Sequence, residues 1–308
     1  MNITILGAGA MGSLFGGLLA ESGQAVTLLD VDDTHLQAVR QHGLRLETDA
    51  GDRQISALLA CRPEHAPAAA DLLIVFTKTL HTAAAMAGIG HVVGPHTRVL
   101  TLQNGLGNVE TISRSVPMER LIVGMTNWPA DKAGAGHVRS HGQGLVRLLA
   151  ADGRPDPAVT RIAGVLDAAG LACAVDPQVW TSIWEKVAFN TALNSICAAT
   201  GCSLGRLATT PPALSLVGSM IDEVLAVAHA EGVETDAARC RAAVMRALVE
   251  QVGHQPSMLQ DVRAGRPTEV QALNGAVVEK ARRHGLAVPH VETLLALVRL
   301  VEAVEAVA

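Results

Sequence analysis

One chemical signal in the sequence is a polar stripe. Lys186, Asn190 and Asn194 recur at i, i+4 and i+8 within the apolar stretch 184–194. On a helix these three side chains share one face. Two Asn in an apolar helix are unfavourable without partners, so a bound polar ligand accounts for them better than a solvated face. A lysine ammonium on the same face can stabilise developing negative charge and release a proton. An ordinary lysine, with a pKa near ~10.4, is protonated at neutral pH.

A second constellation stands at the start of the chain. Gly7, Ala8, Gly9, Ala10, Met11 and Gly12 fit GxGxxG directly after the apolar run 2–6. Such glycines allow a tight turn, backbone approach to a pyrophosphate and close helix–strand packing. The helix that follows aims its N-terminus at the phosphates. Asp30 closes the next strand candidate, where a carboxylate binds the ribose hydroxyls of a dinucleotide. The run Asp30, Val31, Asp32, Asp33 has Arg40 as its nearest arginine in sequence, so a 2′-phosphate meets repulsion. The cofactor reading is therefore NAD(P)H, with NADH favoured over NADPH by Asp30 and the lack of a nearby basic residue.

Four further residues are candidates with competing bland explanations. Lys78 and Asn104 each follow a strand candidate, and ligands in parallel sheets gather at the carboxyl ends of strands. Lys78 alone also reads as an exposed lysine, and Asn104-Gly105 as a turn. Ser257 reads as a helix cap, and Thr268-Glu269 as a helix start.

These residues need elements to hold them. Strand candidates fall at 2–6, 25–30, 44–47, 54–60, 72–77, 98–102, 121–126, 137–140 and 145–150, with helical patterns between several, including 10–22, 33–42 and 80–92. Strands alternating with helices predict βαβ units and a mainly parallel sheet. After Asp176-Pro177 the pattern is helical, at about 178–199, 211–231, 235–252, 267–285 and 290–307. The fold class expected is α/β: a Rossmann-type doubly wound sheet over 1–175, then an all-helical substrate and catalytic domain over 176–308.

Bulk composition narrows the partners. The chain has 308 residues, a formal net charge of −5 and no basic run, which leaves a nucleic acid without an electrostatic footprint. Aromatics are 2%, with three Trp, three Phe and no Tyr, too few for a surface that stacks bases. Phe15, Phe76, Trp180, Trp184 and Phe189 nevertheless fall beside the motifs above, and only Trp128 lies apart. No CxxC or HExxH occurs and the five cysteines are odd in number, so no metal is expected and a reduced, cytoplasmic protein is the simplest reading. The apolar N-terminus lacks a basic flank and is broken by glycines, and no other stretch reads as a bilayer span. The Ala-, Leu- and Val-rich helical half offers a surface for a homodimer.

Taken together, the segments GAGAMG, FTK, QNGLGN, WEKVAFNTALN, PSMLQDVRAGRPTEVQALNG and RRHGLAVP resemble the ketopantoate reductase (2-dehydropantoate 2-reductase) family in order and spacing across nearly the whole chain. The resemblance implies NAD(P)H-dependent reduction of 2-dehydropantoate, a small 2-oxo acid, to (R)-pantoate. It implies Lys186 as general acid, with Glu269 as its carboxylate partner, orienting the substrate and touching the cofactor. It further implies Asn190, Asn194 and Ser257 as substrate-holding groups, and Lys78 and Asn104 at the nicotinamide–substrate junction. Two departures stand out: Val31 replaces the Arg or Lys that NADPH-using members typically carry, and His254 stands where some members have Asn. The first raises an alternative, an NAD-dependent D-2-hydroxy-acid dehydrogenase acting on another branched or aromatic 2-oxo acid. A 3-hydroxy-acid dehydrogenase would lack the Lys-x3-Asn-x3-Asn stripe, and a non-catalytic dinucleotide sensor would not need Lys186 or Glu269.

Overall fold

The computed structural model describes residues 1–305. The chain divides into two compact units. The first holds Met1–Gln103 and Asn108–Val179; the second holds Asn104–Gly107 and the chain from Trp180 onward. The break thus comes after Val179 rather than at 175. The short turn 104–107 joins the second unit, which no local pattern reveals.

The first unit contains, in chain order, β1 (Asn2–Leu6), α1 (Ala10–Glu21), β2 (Ala25–Leu29), α2 (Asp33–His42), β3 (Leu44–Thr48), β4 (Gly51–Ile55), β5 (Leu58–Cys61), β6 (Leu72–Val75), α3 (Thr82–Gly88), β7 (Arg98–Thr101), α4 (Asn108–Ile112), β8 (Leu121–Thr126), β9 (Asp131–Gly134), β10 (His137–Ser140), β11 (Val146–Ala150), α5 (Pro157–Ala168) and β12 (Cys173–Val175). Eight strands form one sheet in the order β12-β11-β8-β7-β6-β1-β2-β5. The six from β5 to β8 run parallel. β11 is antiparallel to β8, and β12 is parallel to β11. β6 is buried along its whole length, as a strand covered on both faces must be. The chain steps outward from β1 to β2 and β5, then returns to β6 on the other side of β1. That reversal is the switch point where such sheets bind ligands.

Two local expectations fail for one reason. The run 54–60 is two strands: β4 pairs antiparallel with β3 in a second sheet, β4-β3-β10-β9, while β5 pairs parallel with β2. β9 is exposed throughout and so shows no apolar alternation, yet it pairs with β10. Partner choice is a long-range property that local apolarity does not report. The helix expected at 80–92 is a 3₁₀ turn, Thr79–His81, followed by the shorter α3.

The second unit is helical: α6 (Val179–Thr200, of which Val179 still belongs to the first unit), α7 (Leu204–Ala208), α8 (Pro211–Ala230), α9 (Ala237–Glu250), α10 (Ser257–Arg263), α11 (Ala276–Arg283) and α12 (Pro289–Glu305). The helix expected over 267–285 opens instead as a π-helical turn, Gln271–Gly275, that runs into α11. The final residues of the helix expected over 290–307 lie outside the described residues. α8 is long and apolar enough, by length and composition, to cross a membrane, contrary to the sequence reading. Its apolar side, including Val217, Met220, Ile221 and Val224, is buried within the unit. Its polar side carries Glu223, whose carboxylate accepts from the His290 and Val291 amides at the start of α12, at 3.1 and 2.9 Å. A core helix passes the same test of length and composition.

Glu223 therefore caps α12 from another helix. Glu223→Ala should cost about 1–2 kcal/mol, the usual range for a lost N-terminal cap. Asp222→Ala, which breaks an exposed pair with Arg241, should cost about 0.5 kcal/mol or less. Urea unfolding of the two variants measures the difference.

Candidate functional site

In the first unit the glycine segment closes the end of β1. The Gly7 amide donates to Leu29 O and the Phe76 amide to Leu6 O, both at 2.8 Å, so the segment is held from both neighbouring strands. Gly7 has φ +97°, and a Cβ there would lie 2.7 Å from Thr77 N. A Cβ on Gly12 would lie 1.9 Å from Gly7 O, so α1 starts directly on the turn. Gly9 differs: it is exposed, occupies the N-cap of α1, and a Cβ there would meet nothing within 4 Å. No side chain caps α1, and its first turn holds no acidic residue. The initial amides thus carry no side-chain cap, and at Gly9 the space of a side chain is open. Behind the turn, Phe15 packs edge-on against Phe76, with centroids 4.9 Å apart.

A buried relay braces the same turn. Ser13 Oγ donates to Ala8 O at 2.9 Å and lies 3.1 Å from His35 Nε2. The Gly136 amide donates to His35 Nδ1 at 3.1 Å. Nδ1 is therefore the acceptor, which puts the imidazole proton on Nε2, facing Ser13. Burial lowers the His35 pKa and favours this neutral form. The sequence reading missed both residues, although Ser13 directly follows the fingerprint.

Asp30 lies just past the end of β2. Its Oδ1 accepts from the Val31 and Asp32 amides, at 2.7 and 3.0 Å. The expectation that no basic residue lies nearby is corrected. Arg62 reaches Asp33 at 2.6 Å, and Lys132 reaches Asp32 at 2.6 Å. Lys132, with the His35 amide, holds the Asp32 carboxyl below its ordinary pKa. Both cations come from distant sequence, so a search outward from Asp30 along the chain stops at Arg40 and misses them.

Lys78 follows β6 and is half-buried. The loop that carries it is fixed by Gln103, whose Nε2 donates to Thr77 O at 2.6 Å and to Thr82 Oγ1 at 2.7 Å. Thr101 Oγ1 donates to Gln103 Oε1 at 3.0 Å, which fixes the orientation of the amide. Gln103 thus positions the Lys78 loop, a role hidden by its place beside the more conspicuous Asn104.

The second unit gathers the remaining candidates. α6 presents Lys186 and Asn190 half-buried and Asn194 buried. Glu185, on another side of α6, accepts from the Asp236 amide at 3.1 Å and from Arg239, tying α6 to the start of α9. Glu269 leads into the π-helical turn. The backbone there is held by Thr268, whose amide donates to Glu302 at 2.7 Å and whose Oγ1 accepts from Val270 N at 3.1 Å. Asn104 Nδ2 donates to Glu269 Oε2 at 3.3 Å, and the Leu106 amide donates to Ala272 O at 2.9 Å. These bonds place the turn 104–107 in this unit. Burial pulls the Lys186 pKa down to about 8, and the Glu269 carboxylate opposes that fall. The expectation of an ordinary lysine pKa is corrected accordingly. Ser257 opens α10, is exposed, and makes no capping bond.

His137 and His141 pair with Glu47 and Asp49 on the second sheet. Among the described residues no three His, Cys, Asp or Glu side chains converge as metal ligands.

Comparison with known proteins gives a consistent result. Residues 3–153 match the family model for ketopantoate reductase PanE/ApbA, and residues 178–302 match that for its C-terminal domain. The 2-dehydropantoate 2-reductase of Streptococcus pyogenes serotype M18 is 34% identical over 305 residues, covering 99% of each chain. That of Halobacterium salinarum is 35% identical over 305 residues, covering 98% of this chain and 99% of its own. A ternary structure of D-mandelate dehydrogenase with NADH and anilino(oxo)acetate superposes with a TM-score of 0.93 at 32% identity, covering 99% of both chains.

The glycines separate binding from stability. Gly7→Ala meets backbone at a positive φ and should destabilise the fold by about 1–3 kcal/mol. Gly9→Ala meets nothing and should leave stability within about 0.5 kcal/mol, while weakening NADH binding roughly tenfold through crowding of the phosphate approach. Urea unfolding and NADH titration of both variants test the contrast.

Proposed function

The chain belongs to the ketopantoate reductase family, and from that premise we propose that it reduces 2-dehydropantoate to (R)-pantoate, with NADH the favoured dinucleotide. The observation that carries the reading is Lys186 on one face of α6 with Asn190 and Asn194, near enough to Glu269 for its carboxylate to offset part of the fall in pKa that burial causes. The family makes the chain an oxidoreductase acting on a CH–OH group, and such a reaction needs a proton donor at the carbonyl oxygen.

The first unit binds the dinucleotide. Gly7, Ala8, Gly9, Ala10, Met11 and Gly12 would hold its pyrophosphate, since the open side of Gly9 and the uncapped start of α1 suit an anion. Asp30 takes the ribose hydroxyls, and its Oδ2 is the oxygen not already accepting the neighbouring amides. Lys78 supplies a cation near the nicotinamide end. When bound, the dinucleotide supplies the hydride that reduces C2 of the substrate.

The second unit handles the substrate. Asn190, Asn194 and Ser257 hold its carboxylate and hydroxyl by neutral hydrogen bonds. The Lys186 ammonium donates to the carbonyl oxygen and gives it a proton as charge develops there. A pKa near 8 makes that transfer easier than from an ordinary lysine while leaving the group largely protonated at pH 7. Glu269 sustains the ammonium electrostatically, and Asn104 orients Glu269 through its amide. Cytoplasmic work suits the odd cysteine set, with all five thiols free among the described residues.

A second reading has its own support. The D-mandelate dehydrogenase similarity, in a complex with NADH, favours an NAD-dependent D-2-hydroxy-acid dehydrogenase acting on an aromatic or other branched 2-oxo acid. Comparing kcat/KM for 2-dehydropantoate and phenylglyoxylate, each with NADH, decides between the two. A higher value for phenylglyoxylate rejects the first.

Lys186→Ala should lower kcat by ~10²–10⁴-fold, the range for a positioned acid, with NADH affinity retained. More than about a tenth of kcat remaining would exclude the role. The pH profile follows from the same group. Reduction needs the ammonium, so it should decline as pH rises through about 8, whereas oxidation of the alcohol needs the neutral amine and should rise there. Because Glu269 raises the Lys186 pKa, Glu269→Gln should move the alkaline decline of reduction to lower pH; an unmoved limb would separate the two residues.

A further inference from the structure

Arg62 lies where a 2′-phosphate on the cofactor ribose would find a partner. β2 and β5 are neighbouring parallel strands in which Leu29 pairs with Cys61. The Asp30 amide donates onward to Cys61 O at 3.4 Å. Asp30 and Arg62 are therefore the first residues past the carboxyl ends of adjacent strands. Asp30 takes ribose hydroxyls, and an arginine nearby is what accommodates a 2′-phosphate.

The guanidinium is already engaged. Its terminal nitrogen meets Asp33 Oδ2 at 2.6 Å, and its Nε donates to Glu64 Oε1 at 3.0 Å. Both partners are well exposed, so the clamp is a surface one and a single neutral substitution should loosen it. Lys132 is held differently. Its partner Asp32 also caps α2 by accepting from the His35 amide at 3.1 Å, so freeing Lys132 would disturb the helix.

We propose that Arg62 is a second determinant of cofactor choice, beside Asp30, and that Asp33 withholds it from the 2′-phosphate. This rests on the reading of Gly7–Gly12 and Asp30 as a dinucleotide site. Discrimination then has two parts: Asp30 repels the extra phosphate, and Asp33 occupies an arginine at the neighbouring strand end that would welcome it.

Calorimetric titration of the full chain with NADPH and with NADH, without substrate, tests the proposal. The variants are Asp33→Ala, Arg62→Gln and the two combined. Asp33→Ala should improve NADPH binding relative to NADH by about tenfold, the effect of a single charge-assisted hydrogen bond to the phosphate. Adding Arg62→Gln should abolish that improvement. An unchanged NADPH-to-NADH ratio in Asp33→Ala would overturn the proposal. So would an improvement that survives Arg62→Gln, since loss of negative charge alone would then explain it. Failure of the unaltered protein to bind either dinucleotide would overturn the dinucleotide reading itself, and the proposal with it.

Discussion

The seat of α1 on the end of β1 is the constraint on which the first unit depends. At Gly12 the helix comes so near the Gly7 carbonyl that no side chain fits between them. That proximity brings the first turn of α1 to the sheet at the point where strand order reverses. It leaves the amides at the helix start with no side-chain cap. Ser13 and His35 brace the turn from behind, and His35 must be neutral to do so because its Nδ1 accepts the Gly136 amide. Packing at two glycines thus sets the turn, and a buried hydrogen-bond chain holds it in shape.

In the second unit the governing interaction is electrostatic. A lysine amid apolar packing loses hydration, which lowers its proton affinity, and a nearby carboxylate returns part of what was lost. The outcome is a cation whose proton is held loosely enough to transfer. Glu269 can serve only if it stays in place. The π-helical turn, the Glu302 contact to the Thr268 amide and the Asn104 amide each restrain it. Irregular helical turns of this kind often mark functional sites.

Much of the candidate site could be proposed from sequence because its signals are local. GxGxxG after an apolar run reads as a strand–turn–helix, since the glycines act within a few residues. The Lys186, Asn190 and Asn194 stripe reads as one face because helical periodicity is also local. The acidic run after β2 shows the limit. Along the chain it has no nearby basic partner, but in the fold Arg62 and Lys132 neutralise two of its carboxylates. Likewise 54–60 has the composition of one strand, and two different pairing partners split it.

By itself the sequence determined the two-part plan, the turn that can receive a dinucleotide and the helix face carrying the lysine. Those depend on residue type and short-range periodicity. Only the tertiary structure decided the acidity of Lys186, the company of Asp33 and the attachment of Asn104 to Glu269. Each depends on burial or charge brought together from distant parts of the chain, and Coulombic and desolvation energies follow distance in space rather than separation in sequence.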